Sequence, residues 1–144
     1  MIRYTKEEAK HIWVTSDTHF NHANIIKYCN RPFSSVEEMN ETIIANWNRV
    51  VPEDGTVYHL GDFALGDKSL VPDILERLNG YKEFLMGNHD NSNIMLEMCK
   101  QGLIENISWE EVIKVEKKTI ILNHFPFGSL PDPATNRPII QLHG

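Results

Sequence analysis

The run Leu85-Met86-Gly87-Asn88-His89-Asp90 constrains this chain more than any other. Residues 81–86 read as a buried strand, and it ends in a turn carrying an amide, an imidazole and a carboxylate on consecutive positions. Packing alone rarely crowds such groups together. The same pattern, a polar cluster directly after an apolar run, recurs at Asp17-Thr18-His19 after Ile12-Trp13-Val14, at Gly61-Asp62 after Val57-Tyr58-His59-Leu60, and at Asn123-His124 after Thr119-Ile120-Ile121-Leu122. Strands then deliver ligand-type side chains from their carboxyl ends, the edge at which α/β sheets bind ligands.

The remaining chain fits an α/β class. Strands are predicted over 11–16, 56–60, 81–86, 103–107, 111–115, 119–122 and 139–142, the fifth and sixth forming a hairpin around Glu116-Lys117-Lys118. A short helix is predicted over 23–28, stopped by Asn30-Arg31-Pro32. Ser35 followed by Glu38 matches a capping box, and Val36, Met39, Ile43, Trp47 and Val50 recur at helical spacing. Ser69 is the expected cap of a third helix lined by Leu70, Ile74, Leu75 and Leu78, with Asn79-Gly80 ending it. A fourth starts near Asn91 or Ser92, packs Ile94, Met95 and Met98, and closes at Gly102. Residues 126–138, rich in Pro, Asp and Asn, read as a long loop near the site.

Length and charge narrow the options. The 144 residues suit one domain, 1–144, with a real core. A net charge of −6 disfavours a broad basic surface, and hence nucleic acid as the main partner. No apolar run reaches a membrane-spanning length and the first ten residues are polar, so a soluble cytoplasmic protein is expected. Cys29 and Cys99 lack any C-x-x-C spacing and are expected to be two buried free thiols.

Asp, His and Asn without Cys make a mixed oxygen and imidazole set, which suits manganese, iron, zinc or nickel. Asp17 and His19, two apart on an extended strand end, can face one side and share a metal. Read instead as strand-end polar residues capping turns, the four clusters would need turn chemistry to select this combination by chance.

Taken in order, Asp17-x-His19, Gly61-Asp62, Gly87-Asn88-His89-Asp90 and His124 resemble the calcineurin-like metallophosphoesterase family over nearly the whole chain. The wording Ser16-Asp17-Thr18-His19-Phe20-x-His22-x-Asn24, with Asn30-Arg31-Pro32-Phe33 and Gly61-Asp62-Phe63-Ala64, is similar to small bacterial and phage members. The resemblance implies a four-layer α-β-β-α sandwich and two divalent metal ions. It assigns Asp17 and His19 to the first metal, Asn88 and His124 to the second, and Asp62 to both. It implies hydrolysis of a phosphomonoester or phosphodiester on a phosphorylated small molecule, by in-line attack of a hydroxide held between the cations. His89 falls where the family has a non-ligand histidine, with Asp90 expected to accept from its ring and fix the tautomer. Gly61 and Gly87 are expected to let the backbone turn where a β-carbon would obstruct.

The family closes its site with G-H-x-H, and here Ile140-Gln141-Leu142-His143-Gly144 runs into that motif and stops at its glycine. Each metal then keeps fewer protein ligands from this chain, which makes the C-terminal part of the sandwich incomplete. A phosphoesterase-fold scaffold without turnover is therefore the alternative reading.

His22 and Arg31 are candidate substrate contacts, against plainer readings as a solvated histidine and a surface arginine; Asn24 reads as a helix cap and Arg137 as a surface arginine. His59 and His11 are expected to be structural. Met86, Met95 and Met98 are expected to fill the core, with Trp47 and Trp109 as packing residues.

Overall fold

The computed structural model describes residues 1–130 and 138–144. Its elements are β1 (Ile2–Tyr4), β2 (Ile12–Thr15), α1 (Ala23–Tyr28), α2 (Val36–Val50), β3 (Thr56–His59), α3 (Val71–Arg77), β4 (Tyr81–Leu85), α4 (Ser92–Lys100), β5 (Asn106–Ser108), β6 (Glu110–Val115), β7 (Lys118–Asn123) and β8 (Ile139–Leu142). Turns of 3₁₀ helix precede β2 at Glu8–His11 and α3 at Lys68–Leu70. The strands form two sheets. One runs β2-β3-β4-β5, entirely parallel, and the other β1-β6-β7-β8, mixed, with β6 and β7 as its antiparallel pair.

Strand alternation places the sheets face to face. On β3, Val57 faces a core shared with the helices, where Trp47 of α2, Val71, Ile74 and Leu75 of α3, and Met95 and Met98 of α4 are buried. The intervening Tyr58 turns the other way, into a second cluster with Leu85 of β4, Ile113 of β6 and Leu122 of β7. Both faces of the parallel sheet are thus covered, which fits the paired apolar residues Val57-Tyr58 of β3 and Phe84-Leu85 of β4, one of each pair facing either side. The described residues build the α-β-β part of the expected sandwich. Between the sheets, the Tyr4 and Tyr58 hydroxyls bond each other at 2.7 Å, which satisfies two polar atoms in the seam.

The helix starts differ in detail from the capping expected. Ser35 Oγ does accept from the Glu38 backbone N–H, but the Glu38 carboxylate reaches back to Ser34 N at 2.7 Å and not to Ser35. Asp67, not Ser69, caps the turn before α3: its Oδ1 accepts from Ser69 N, and the helix proper begins at Val71. Asn91 caps α4 by accepting from Asn93 N and Ile94 N.

β1 was not expected, since three residues in a charged segment give no periodicity. β5 lies at Asn106–Ser108 because Leu103 and Ile104 belong to the approach to it, Ile104 being buried there as a loop residue. Cys29 is exposed and Cys99 only half-buried, so the expectation of two buried thiols fails. Trp109 is 66% exposed and packs little, and His11 is exposed as well. Trp47, Met86, Met95 and Met98 are buried as expected. Most of the predicted 126–138 loop, Arg137 included, lies outside the described residues. Among the described residues, no helix is long and apolar enough to cross a membrane.

Candidate metal centre

The polar clusters converge where strands β2, β3, β4 and β7 end. Beyond Thr15 the chain does not stay extended, contrary to the simple alternation expected for Asp17 and His19. Both adopt left-handed backbone, φ 52° and 51°, and Asp62 does the same at 57°. Such conformations cost an L-residue roughly 1–2 kcal/mol, less for Asp, and persist where the surroundings over-determine them.

Several bonds supply that determination. Asp17 N donates to Gly61 O at 2.9 Å, His19 N to Asp62 O at 3.0 Å and Phe20 N to Phe63 O at 2.8 Å, so the two turns are zipped together. Arg31 grips the first turn from outside: Nη2 donates to Asp17 O at 2.7 Å and Nη1 to Thr18 O at 2.8 Å. The guanidinium therefore braces the backbone of this turn, which corrects its plainer reading as a surface arginine.

Beneath the turns lies His59, fully buried. Its Nδ1 accepts from Gly61 N, so Nε2 carries the proton and donates to Thr18 Oγ1, whose hydroxyl donates on to Phe63 O. Burial pushes the His59 imidazole down to about 3, with His19 and His124 adding to the effect. Thr18 was missed by the sequence reading, its only signal being a position between two proposed ligands.

Close backbone approach explains both glycines. A β-carbon on Gly61, at φ +98°, would stand 2.7 Å from Gly87 N, and one on Gly87 would run into the Asp62 carboxylate. Asp90 draws the same two turns together. Its Oδ2 accepts from Asp62 N at 2.7 Å and Gly87 N at 2.8 Å, and its Oδ1 from Phe63 N at 2.8 Å. The carboxylate so engaged is not the hydrogen-bond partner of the His89 ring, as had been expected.

These constraints gather the proposed ligands around Asp62, which is 4% exposed. Its Oδ1 accepts from His89 N at 2.9 Å. Its Oδ2 makes no hydrogen bond among the described residues, yet faces the Nε2 atoms of His124, His19 and His89 at 3.6, 3.7 and 4.0 Å. Asp17 Oδ1 lies 3.7 Å from His19 Nε2, and Asp17, Asp62 and His124 together offer ligand atoms within 4.8 Å of one another. Such spacings are too long for hydrogen bonds. The carboxylate–imidazole distances, 3.6 to 4.0 Å, are shorter than the ~4.2 Å reach of two ligand bonds of about 2.1 Å to one ion.

His124 gives a sharper test. Its Nδ1 lies 2.8 Å from Leu60 O, a carbonyl that can only accept, so the proton is on Nδ1. In that one-proton form Nε2 presents a lone pair to the Asn88 carbonyl oxygen 3.0 Å away, with the amide oriented oxygen-inward. With the amide so oriented, both groups turn a lone pair to the same space, as two ligands of one cation do. The set of carboxylate, amide and imidazole groups fits a hard or borderline divalent ion.

His19 is held below the ordinary imidazole range, chiefly by burial, with Arg31 and His22 pushing the same way and Asp62 and Asp17 opposing. A one-proton ring is the form that binds metal. His22 is lowered too, mainly by burial and then by His89 and Arg31; its Nδ1 sits 3.2 Å from His19 Nδ1. The His89 ring, 43% exposed, stands at the mouth, 5.6 Å from the His19 ring and 6.2 Å from that of His22.

The family model for calcineurin-like phosphoesterases matches residues 10–143. The chain belongs to that family. This calcineurin-like phosphoesterase is 34% identical to a solved protein of unknown function, AQ665 from Aquifex aeolicus, with a TM-score of 0.65 over 88% of this chain and 64% of that one. It is 59% identical over 81 residues to the uncharacterized protein MJ1445 of Methanocaldococcus jannaschii, covering 55% of this chain and 46% of the relative. The Gene 66 protein of Mycobacterium phage L5 is 29% identical over 131 residues, 80% of this chain and 63% of the phage protein. The chain thus spans less than two thirds of the length of each of these relatives.

Proposed function

We propose that this phosphoesterase-family chain holds two divalent cations and hydrolyses a phosphomonoester or phosphodiester of a small molecule. The observation that carries the reading is the facing pair of acceptors, His124 Nε2 and Asn88 Oδ1 at 3.0 Å, beside an Asp62 oxygen that has no hydrogen bond among the described residues. Asp17 and His19 would hold one ion, Asn88 and His124 the other, with Asp62 serving both. When bound, such a pair lowers the pKa of water and neutralises the attacking and leaving oxygens of an in-line displacement at phosphorus.

The chain's own residues supply the rest. His89 projects its ring from the turn after β4 toward the mouth, where it can stabilise the transferring phosphoryl group or give a proton to the leaving oxygen. His22, beside His19, is a second contact for the substrate's phosphoryl oxygens. Asp90 acts through the backbone: by holding Asp62 N, Phe63 N and Gly87 N it fixes the separation of the turns that carry Asp62 and Asn88.

The test is metal analysis of the purified chain combined with hydrolysis of aryl phosphate mono- and diesters in excess manganese. Close to two ions per chain with turnover supports the enzyme. No metal and no turnover makes the chain a scaffold on the phosphoesterase fold.

A further inference from the structure

Beside the His89 ring, between the turn after β3 and the start of α4, lies a pocket of about 130 Å³. Phe63, Val71, Ile94 and Met95 give it an apolar wall, and Lys68 stands at its lip. Phe63 is fully buried, and Val71 and Met95 nearly so, which makes the wall a continuation of the core under the helices. Asp90, which also borders it, has its carboxylate committed to three backbone N–H groups, so the pocket presents no free anion from that side.

Two features tie this cavity to the reacting centre. His89 borders both, its ring nitrogen lying 4.0 Å from Asp62 and its residue lining the pocket. The backbone of Phe63, which forms part of the wall, is the acceptor and donor that locks the two metal-bearing turns together. A group joined to the ester oxygen on the His89 side would therefore reach this space. Its size sets the occupant: an apolar cavity of roughly 150 Å³ takes one benzene ring.

We propose that the pocket is the leaving-group subsite, and that the preferred substrate is a phosphoester whose leaving alcohol carries a single ring-sized apolar group. This rests on the phosphoesterase reading above for the position of the phosphoryl group, but not for the existence of the subsite. Asp67 and Lys68 both border the pocket at the ring's outer edge, which adds tolerance for a polar substituent there.

The probes are methylphosphonate, benzylphosphonate and naphthylmethylphosphonate, titrated calorimetrically into the metal-loaded chain, with methyl resonances of Ile94 and Met95 followed by NMR. Burying one ring should tighten benzylphosphonate over methylphosphonate at least about tenfold, shift both methyl signals, and leave the naphthyl compound weaker than the benzyl one. Ile94→Trp and, independently, Leu65→Trp at another residue lining the pocket should each bring the benzyl-to-methyl ratio close to one. Equal binding of benzyl and methyl compounds, or a ratio untouched in both variants, overturns the subsite; where no phosphonate binds, benzyl alcohol is the probe, and Ile94 and Met95 methyl signals that stay in place under it overturn the subsite as well. Turnover of benzyl phosphate separates the two readings: ring-selective binding without hydrolysis leaves the pocket standing and removes the enzyme, while hydrolysis indifferent to the ring does the reverse.

Discussion

At the scale of single residues, Asp62 and Asp90 differ in kind although both are carboxylates in adjoining turns. Asp62 keeps one oxygen open toward three imidazoles, whereas Asp90 has both oxygens engaged by backbone N–H groups. Asp62→Asn should therefore fold normally, since the amide oxygen can still accept from His89 N, yet lose metal and slow hydrolysis by at least about a hundredfold. Metal content and turnover of an aryl phosphate, measured on protein with an unchanged melting curve, check this. Asp90→Asn should do the opposite first. Its amide would turn N–H against N–H, and stability should drop by roughly 2–3 kcal/mol, seen as an earlier denaturant midpoint. Were Asp90 needed only to orient the His89 ring, that midpoint would not move. Arg31→Ala should likewise lower stability by about 2 kcal/mol, because two carbonyls of a half-buried turn lose a charged donor, and metal affinity should fall with it.

Among the elements, the turns after β2, β3 and β4 matter more than the strands that lead to them. The strands that lead to the candidate site were legible in the sequence because apolar runs such as Val57-Tyr58-His59-Leu60 end in polar residues, and the capped, periodic α2 was legible for its spacing. What the pattern could not convey was backbone handedness: nothing in Asp17-Thr18-His19 announces two left-handed residues, and extended alternation was the natural expectation. Nor could it convey partners distant in sequence. Arg31 looked like any arginine near an anion site until Asp17 O and Thr18 O were seen against it, and the Thr18 hydroxyl gains meaning only beside His59. Short β1 and displaced β5 were lost for the converse reason, since pairing with β6 and β4, not local composition, makes them strands. The cap of α2 is a local feature and its worth is local. Ser35→Ala should cost about 1 kcal/mol in chemical denaturation without changing metal content.

Over the whole molecule, the buried His59 makes stability sensitive to acid. Its imidazole is held at about 3 in the folded state against an ordinary value of 6.5. Below pH ~6.5 the unfolded chain therefore takes up a proton that the folded chain refuses, and stability falls as pH drops toward ~3. Between pH 7 and pH 5 this group alone should remove roughly 2 kcal/mol. Metal-free His59→Gln protein, melted at both values, should show a pH difference smaller than wild type by about that amount. The two sheets also meet at the site, for Asp17, Asp62 and Asn88 follow strands of the parallel sheet while His124 follows β7 of the mixed one. An ion gripped from both sides would rivet the halves of the sandwich, so shearing one past the other would require the rivet to leave first. Chelation should then let amides of β6 and β7 exchange ahead of those of β3 and β4, a lag that loading with manganese ought to erase.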